Sequence, residues 1–255
     1  MNWSEPAVVL SIRPLGDADL IALVMTEQHG SHGGLVRGGA SRDKIGTWQI
    51  GNILKVQWTG RLADQLGSFT GELVYAAAAL AMQNPLALAM LSAACAVAEG
   101  VLQDREAYPR IFAGLVELVP RIVTGESALP ALINWELTVL ADLGYGLNLS
   151  SCAVTGQSDG LAYVSPRTGR AVTPEGAGIW QSRLLPLPGF LVGTAEVTMT
   201  DVRDGLRLTG HFLARDAFGH RHRPLPQARV MLYDRISAMA DRLDSNTRSE
   251  SLNAG

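Results

Sequence analysis

The stretch from residue 7 to residue 61 constrains the fold of this chain more than any other part of the sequence. Short apolar runs alternate there with turn residues such as Pro14-Leu15-Gly16 and His29-Gly30. The strand-like runs lie at residues 8–12, 20–25, 35–36, 53–58 and 66–74, and the last of them leads into the next region of the sequence. Five short strands separated by glycine turns are typical of a sandwich or a small barrel. We therefore expect a small β-barrel over residues 1–75.

Cationic side chains gather in the second half of this barrel sequence. Residues 30–61 contain five cations and a single acid, Asp43, whereas the whole chain has a formal net charge of −3. The five cations are Arg37, Arg42, Lys44, Lys55 and Arg61. Because the field of the whole protein is weak, a site for a polyanion has to be a local patch. Arginine forks onto phosphate oxygens, so the patch predicts contacts to nucleic acid, with ordinary solvated cations as the alternative.

Two tryptophans, Trp48 and Trp58, lie among these cations. Flat aromatic faces stack on unpaired bases, with about 1–3 kcal/mol per base in single-strand binders. We expect both rings to pack in the barrel core, with base stacking as the alternative.

A second basic cluster lies near the C-terminus. It has five arginines and two acids, Asp216 and Asp234, with His220 and His222 between them. The arginines are Arg215, Arg221, Arg223, Arg229 and Arg235. Two interpretations stay open, a solvated turn and helix face or a further contact to nucleic acid. In the second, Arg221 and Arg223 are the candidate binding residues.

The sequence from residue 76 to residue 150 predicts a helical domain, because alanine and leucine dominate it and both are strong helix formers. Asn84-Pro85 fits an N-cap followed by proline at the first helical position. A helix predicted over residues 130–143 ends at Gly144. Leu73 to Ala98 has no charged side chain, but Asn84-Pro85 cuts it into pieces shorter than the roughly 20 apolar residues that cross a bilayer. We expect buried helices and no contact with a membrane.

The remaining sequence divides into an insertion, a helical region and a tail. Residues 151–178 form a polar, glycine-rich insertion, and residues 179–243 are expected to add helices that pack on the helical domain. Residues 244–255 are expected to be a disordered tail. The chain has two cysteines, Cys95 and Cys152, far apart in the sequence, which indicates a reducing compartment such as the cytoplasm.

The sequence does not indicate catalysis. The chain has no P-loop and no H-E-x-x-H, and no paired-carboxylate motif supports a hydrolase. The one metal or acid–base group that can be imagined is Asp17, Asp19, His29 and His32. Acids in a turn are more often solvated or capping groups, so we expect a non-enzymatic protein with no catalytic residue and no cofactor.

Several segments together resemble the RecO family of recombination mediators, over roughly residues 3–236. The most specific is ELTVLADLGYGLNLSSCAVTG, Glu136 to Gly156. The opening Ala7 to Leu20 resembles the family's first hairpin, and VRGGASR resembles its basic loop. Further matching segments are VQWTGR at 56–61, YVSPRTGR at 163–170 and RPLPQAR at 223–229.

This resemblance implies an α+β multidomain protein with a five-stranded OB-fold barrel, a helical bundle and a small zinc-knuckle-like β insertion. It further implies binding of single- and double-stranded DNA, annealing of complementary strands, and work with RecR to load RecA on DNA covered by single-strand binding protein. The acidic C-terminal tail of that protein is an implied partner, and the cytoplasm, at the nucleoid, is the implied location. The chain departs from the family at the knuckle, where many members have four cysteines. Here the four positions are Cys152, Thr155, Thr173 and Gly176, and one thiolate cannot make a structural zinc site, so we expect no bound metal.

Two hypotheses follow. In the first, the cations of the barrel neutralise DNA phosphates and hold two mutually repelling strands close together. In the second, the protein is an adaptor whose helical domain binds an acidic-tailed peptide without essential DNA contact, with Arg110 or Arg121 near the peptide carboxylate.

Overall fold

The computed structural model describes residues 1–62, 66–193 and 196–253 of the 255-residue chain, with side chains described up to residue 245. The chain forms two compact units, Met1–Ala128 and Leu129–Gly255. The first contains the barrel predicted at the N-terminus, and the second contains the predicted insertion.

Five strands close into a barrel in the first unit, in the order β1-β2-β3-β5-β4. They are β1 (Asn2–Leu15), β2 (Asp19–Thr26), β3 (Gly30–Val36), β4 (Ile53–Thr59) and β5 (Ser68–Tyr75). Neighbouring strands are antiparallel, except that β3 and β5 are parallel. β1 pairs with both β2 and β4, and its register shifts between Val9 and Ser11, as at a β-bulge. The predicted five-stranded barrel of the OB type is confirmed.

The barrel interior is filled by residues that alternate along each strand with outward-facing ones. In β4 the buried residues Leu54, Val56 and Trp58 alternate with exposed ones such as Lys55. Trp48 and Trp58 are 2% and 1% exposed and belong to one core cluster, so the prediction of core packing is confirmed for both rings. Neither indole offers a face on which a base could stack.

Among its described residues, the first unit also contains three helices, α1 (Ala77–Ala81), α2 (Pro85–Val101) and α3 (Pro109–Thr124). The predicted N-cap of α2 is confirmed, because the Asn84 side chain accepts hydrogen bonds from the backbone N–H groups of Leu86 and Ala87 at 2.9 and 3.3 Å. α2 packs on β1, and α3 packs on β2 as well as on α1 and α2. The barrel and these helices therefore share one compact unit.

The second unit contains four helices among its described residues, together with a small sheet of order β7-β6-β8. The helices are α4 (Ala128–Asp142), α5 (Pro174–Ala177), α6 (Met199–Phe212) and α7 (Gln227–Asn253). The strands are β6 (Tyr163–Val164), β7 (Ala171–Val172) and β8 (Leu185–Pro186). α6 begins at a capping box between Thr198 and Asp201 and continues into one turn of π-helix, Leu213–Phe218.

The structure differs from the predicted domain organisation in two places. The helical domain expected over residues 76–150 is divided at residue 128, because α1 to α3 join the barrel unit and α4 joins the second unit. The tail expected to be disordered from residue 244 is helical up to Asn253, as the last part of α7. Each residue added to an existing helix gains one backbone hydrogen bond, which explains how a polar segment extends it. Residues 254 and 255 lie outside the described residues.

Among the described residues, no helix combines the length and the apolar character that crossing a bilayer requires.

Candidate nucleic-acid interface

The connection between β3 and β4 carries three of the five barrel cations and is an ordered loop. The backbone N–H of Gly38 donates to Asp19 Oδ1 at 2.7 Å, and that of Ala40 donates to the carbonyl of Ala18 at 2.9 Å. Gly38 has a φ of 63°, in the left-handed region that glycine adopts without strain. The backbone of the loop is therefore anchored to the β1–β2 turn and the start of β2.

A cleft of about 360 Å³ opens where this loop faces β5. Its lining combines cations, hydroxyl groups and a small apolar floor, contributed by Val36, Arg37, Lys44, Thr47, Trp48, Ser68, Phe69, Thr70 and Gly71. Arg37 and Lys44 are exposed, and Lys44 Nζ donates a hydrogen bond of 3.0 Å to the carbonyl of Arg37. This bond keeps the ammonium group over the cleft.

A second cleft of about 290 Å³ shares Thr70 and Gly71 with the first. It is lined by Ser4, Lys55, Gln57, Thr70, Gly71 and Glu72. We call the two clefts together the barrel groove. Lys55 stands opposite Glu72 in the β4–β5 pair, so the acid offsets part of its charge. The strongly cationic part of the groove is therefore the end at Arg37 and Lys44.

The structure brings three of the five predicted barrel cations into the groove and leaves two outside it. Arg42 lies exposed in the same loop as Arg37, and Arg61 lies exposed after β4, but neither lines a cleft. Within the described part of the chain, none of the five forms an ion pair with an acid. Apart from Lys55, whose charge Glu72 partly offsets, their charge is therefore available to an external anion.

Arg229, in the C-terminal cluster, has a structural role. It is 1% exposed, and its Nε and Nη2 bind Glu136 at 2.5 and 3.0 Å. Nη2 also donates to the carbonyl of Leu206 at 2.8 Å and lies 3.2 Å from Thr209 Oγ1, which itself bonds Glu136. This buried network ties α4, α6 and α7 together, so the interpretation of Arg229 as part of a nucleic-acid contact is wrong.

Arg215 is engaged in a similar way at the surface. Its Nε and Nη2 donate to the two carboxylate oxygens of Asp216 at 2.7 Å each, and its guanidinium lies 4.8 Å from the Phe212 ring. Hydrogen bonding to Asp216 raises the pKa of this guanidinium, despite a smaller opposing effect of burial. Nη1 donates to the carbonyls of Pro166 and Arg167. The side chain links the π-helical turn after α6 to the β6–β7 connection.

Arg221 and Arg223, the candidate binding residues of this cluster, lie between the π-helical turn and α7. Arg223 is exposed. Arg221 is half-buried and has an interaction partner within the protein. Two of the five arginines, Arg223 and Arg235, are thus both exposed and outside the two ion pairs described above, and Arg235 has an interaction partner within the protein.

Arg110 and Arg121 of the adaptor hypothesis are both exposed on α3. Their separation of eleven residues corresponds to about three helical turns, which places them on one face roughly 16 Å apart. They therefore cannot share one terminal carboxylate, although either can approach one. Neither lines the barrel groove.

The knuckle positions converge on Cys152, which is buried. Its Sγ accepts hydrogen bonds from the backbone N–H groups of Thr155 and Thr173 at 3.4 and 3.3 Å, and a Cβ atom at Gly176 would lie 3.0 Å away. Burial raises the pKa of the Cys152 thiol, but hydrogen bonds from Thr155 and Thr173 outweigh this and lower it from 9.0 to about 6. One sulfur, two hydroxyls and a glycine do not fit zinc, which needs four N, S or carboxylate ligands. The described residues contain no group of three or more His, Cys, Asp or Glu side chains able to hold a metal.

The four residues considered as an acid–base group do not converge. Asp19 binds the loop N–H of Gly38, at the opposite end of β2 from the pair Val24–His32. His29 Nδ1 lies 2.7 Å from Glu5 Oε1. His32 is 4% exposed among Trp3, Trp58 and Phe69. The two aspartates therefore lie at one end of β2, whereas the two histidines lie at the other end, both against Trp3.

Residues 156–160, Gly-Gln-Ser-Asp-Gly, have the G-x-S-x-G spacing of a hydrolase nucleophile. That motif requires a sharp turn between a strand and a helix. Here the segment is irregular, between Thr155 and β6, with no helix after it before Pro174. The spacing therefore gives no support to a hydrolase.

The three hydroxyl residues of the larger cleft, Thr47, Ser68 and Thr70, were missed by reasoning from sequence. The sequence contains only a weak signal for them. In β5, Thr70 is an outward-facing position next to the inward-facing Phe69. Threonine and serine at such positions are common in any barrel. Only the fold brings Ser68 and Thr70 of β5 opposite the loop that contains Thr47.

Two family models match the chain. The model described as Recombination protein O N terminal matches residues 1–77, and the one described as Recombination protein O C terminal matches residues 82–224. The chain belongs to the RecO family. The resemblance found in the sequence is thereby confirmed, and the barrel corresponds to the N-terminal RecO model.

Close relatives carry the same family name. Proteins named DNA repair protein RecO are 56% identical in Granulibacter bethesdensis, over 94% of this chain and 98% of the relative, and 54% identical in Acidiphilium cryptum, over 93% and 96%. A third, from Gluconacetobacter diazotrophicus, is 53% identical over 94% and 96%. The likeness to these RecO proteins thus extends over almost the full length of both chains.

Proposed function

We propose that this RecO protein acts in DNA repair as a non-enzymatic DNA-binding mediator. The name DNA repair protein, shared by its relatives, supports the role in repair. The observation that carries DNA binding is the pair Arg37 and Lys44, exposed at the rim of a cleft on an ordered loop and paired with no acid among the described residues. Arg42 on the same loop, with Lys55 and Arg61 on or after β4, extends the cationic surface.

The mechanism is electrostatic. Cations that neutralise phosphates release condensed counterions, so the affinity falls as salt rises. Two complementary strands repel each other through their phosphates, and a shared set of cations lowers that repulsion. Annealing then needs no bond to be made or broken by the protein. Both single and double strands present the phosphates that this surface binds.

Partner binding is the second part of the proposal. The family resemblance implies that this protein acts together with RecR. The two proteins would help RecA to replace single-strand binding protein on DNA. The acidic tail of single-strand binding protein would bind the helices of the first unit, near Arg110 or Arg121. The exposure of both arginines on one face of α3 supports this assignment.

The adaptor hypothesis remains the alternative, favoured by the same exposed face of α3. It predicts that the protein captures an acidic-tailed peptide without essential DNA contact. A barrel with reversed charge that still binds the peptide and still supports repair would favour the adaptor. One that binds the peptide but fails in repair would favour the DNA-binding mediator.

The test is charge reversal on the loop. Replacing Arg37 and Arg42 together with glutamate is expected to raise the dissociation constant for DNA at least about tenfold, because each change removes one phosphate contact and adds a repulsion. Arg13→Glu is the matched control, since Arg13 is exposed on β1 and lines neither cleft. An unchanged constant for the loop variant would place the DNA site away from the barrel groove.

A further inference from the structure

The larger cleft lies at the seam of the barrel. β3 and β5 pair at one position, Leu35 with Ser68, supported by a hydrogen bond of 3.1 Å from the N–H of Leu35 to the carbonyl of Gly67. Beyond this point β3 leads into the loop, whereas β5 continues beside β4. The gap between the diverging strands is the cleft. OB barrels usually bind their ligands across strands 2 and 3, so this seam is a different place.

The chemistry of the cleft changes from its rim to its floor. The exposed cations Arg37 and Lys44 lie at the rim. Val36, Trp48 and Phe69, each only 2–3% exposed, contribute a small apolar floor. The walls between them carry three hydroxyl groups, those of Thr47, Ser68 and Thr70. A free phosphate would be satisfied by the rim alone and would gain nothing from an apolar floor. The lining instead suits a ligand with an anionic end and a flat, partly apolar body.

The three hydroxyl groups are free to bind such a ligand. None of them makes a hydrogen bond to another part of the protein within the described ranges. A hydroxyl can donate and accept, so three of them can satisfy the polar edge of any base without selecting one. The volume of about 360 Å³ falls at the small end of the range of roughly 300–1,000 Å³ for pockets that hold small molecules.

We propose that this cleft receives one unpaired nucleotide of a single strand, with its phosphate at the Arg37–Lys44 rim and its base between the hydroxyl groups and the floor. This inference rests on the proposed function and deepens it. A base within a duplex cannot enter, because its faces are stacked and its edge is paired, and extruding it costs a few kcal/mol. The cations bind phosphates of either form, and the cleft adds a contact that only single strands make.

The first test changes the ligand and leaves the protein intact. The wild-type protein is titrated with oligothymidine of about 16 nucleotides, the upper site size for one OB barrel, and with a strand of equal length whose bases are removed. The phosphates are the same, so the expected loss of affinity, at least about fivefold, reports the base contact. Equal dissociation constants for the two strands would overturn the inference.

The second test fills the cleft. Thr70→Ile removes a hydroxyl and adds bulk at an outward position of β5, where a β-branched residue suits the strand. The ratio of the duplex to the single-strand dissociation constant is expected to fall at least about fivefold. The matched control is Thr59→Ile, an exposed threonine of β4 outside the cleft, which is expected to keep the wild-type ratio. A Thr70→Ile protein with the wild-type ratio would contradict the inference. If circular dichroism shows that this variant is unfolded, the abasic strand decides alone.

Failure of this inference differs from failure of the proposed function. Arg37→Glu is expected to weaken binding of the intact strand, the abasic strand and the duplex. If it does so while the wild type binds the intact and abasic strands equally, the groove binds phosphates and no base enters the cleft. If Arg37→Glu leaves all three constants unchanged, the DNA site is not in the groove, and both the inference and its basis are overturned.

Discussion

The two basic clusters of this RecO protein are similar in sequence and opposite in structure. The barrel segment and the C-terminal segment each contain five cations with one or two acids. In the barrel, Arg37 and Lys44 are exposed and form no ion pair among the described residues. In the second unit, Arg229 is 1% exposed and is bound to Glu136. Local charge density therefore does not distinguish the two clusters, whereas the pairing of individual cations does.

The difference arises from where the acids lie in space. In the barrel, the carboxylate of Asp19 is occupied by the backbone N–H of Gly38 and does not neutralise a cation. In the second unit, Asp216 adjoins Arg215 in sequence, and Glu136 reaches Arg229 from 93 residues away. Asp19 stabilises a loop whose cations stay exposed, whereas Asp216 and Glu136 each form an ion pair with an arginine.

The largest expected effect tests this contrast through stability. Arg229→Met leaves Glu136 as an unpaired charge in the core and is expected to lower the free energy of unfolding by about 3–5 kcal/mol. Arg37→Met removes an exposed side chain without a partner and is expected to change it by less than about 0.5 kcal/mol. Urea unfolding, followed by circular dichroism, measures both.

The control for this experiment is the double variant Glu136→Gln with Arg229→Met. Because the double variant leaves no buried charge, its loss of stability is expected to be smaller than the sum of the two single losses. If Arg229→Met and Arg37→Met were equally stable, the buried pair would contribute nothing, and the distinction between the two clusters would fail.

The second prediction concerns His32, a buried polar side chain in the barrel. Unlike the carboxylate of Glu136, the His32 ring has no hydrogen-bond partner at either nitrogen among the residues that the structure describes. Burial, followed by the neighbouring charges of Arg105 and His29, lowers the pKa of His32 from 6.5 to about 4. The folded state thus keeps the ring neutral at a pH where the unfolded chain binds a proton. Stability is therefore lost as the pH falls from about 6.5 towards 4.

Between about pH 7 and about pH 4.5, this linkage is expected to cost the wild type about 2 kcal/mol, which His32→Phe avoids because phenylalanine does not titrate. The aromatic ring suits the site among Trp3, Trp58 and Phe69. Urea midpoints of both proteins, followed by tryptophan fluorescence, are compared at the two pH values. Parallel losses in both would show that other groups cause the acid sensitivity.

Much of the fold could be predicted from local patterns. Alternation of buried and exposed residues along β4 and the Asn84 cap of α2 are both determined within a few residues of sequence. The division at residue 128 could not be predicted, because it depends on which partners α3 and α4 pack against. The helical end of α7 was also missed, since polar composition alone does not reveal that a preceding helix continues through it.

Only part of the candidate site could be predicted from the sequence. The cations of the loop are close together in sequence, so Arg37 and Lys44 could be recognised as a patch. Thr47 and Thr70 come from separate elements, and their approach depends on the single pairing of β3 with β5. Lys55 was recognised as a cation, but its position opposite Glu72 follows from strand register, which the sequence does not specify.

The smallest expected effect is a difference between the two basic clusters in the salt dependence of DNA binding. Arg37→Met and Lys44→Met are each expected to reduce the slope of log affinity against log salt by about 1, the value for one lost phosphate contact. Arg215→Met is expected to leave the slope unchanged, because Asp216 already neutralises that guanidinium at 2.7 Å. Arg223→Met tests an exposed arginine of the same cluster, and a decrease of about 1 in its slope would indicate a further phosphate contact in the second unit. Equal slopes for Arg37→Met and Arg215→Met would contradict the rule that unpaired cations alone bind DNA.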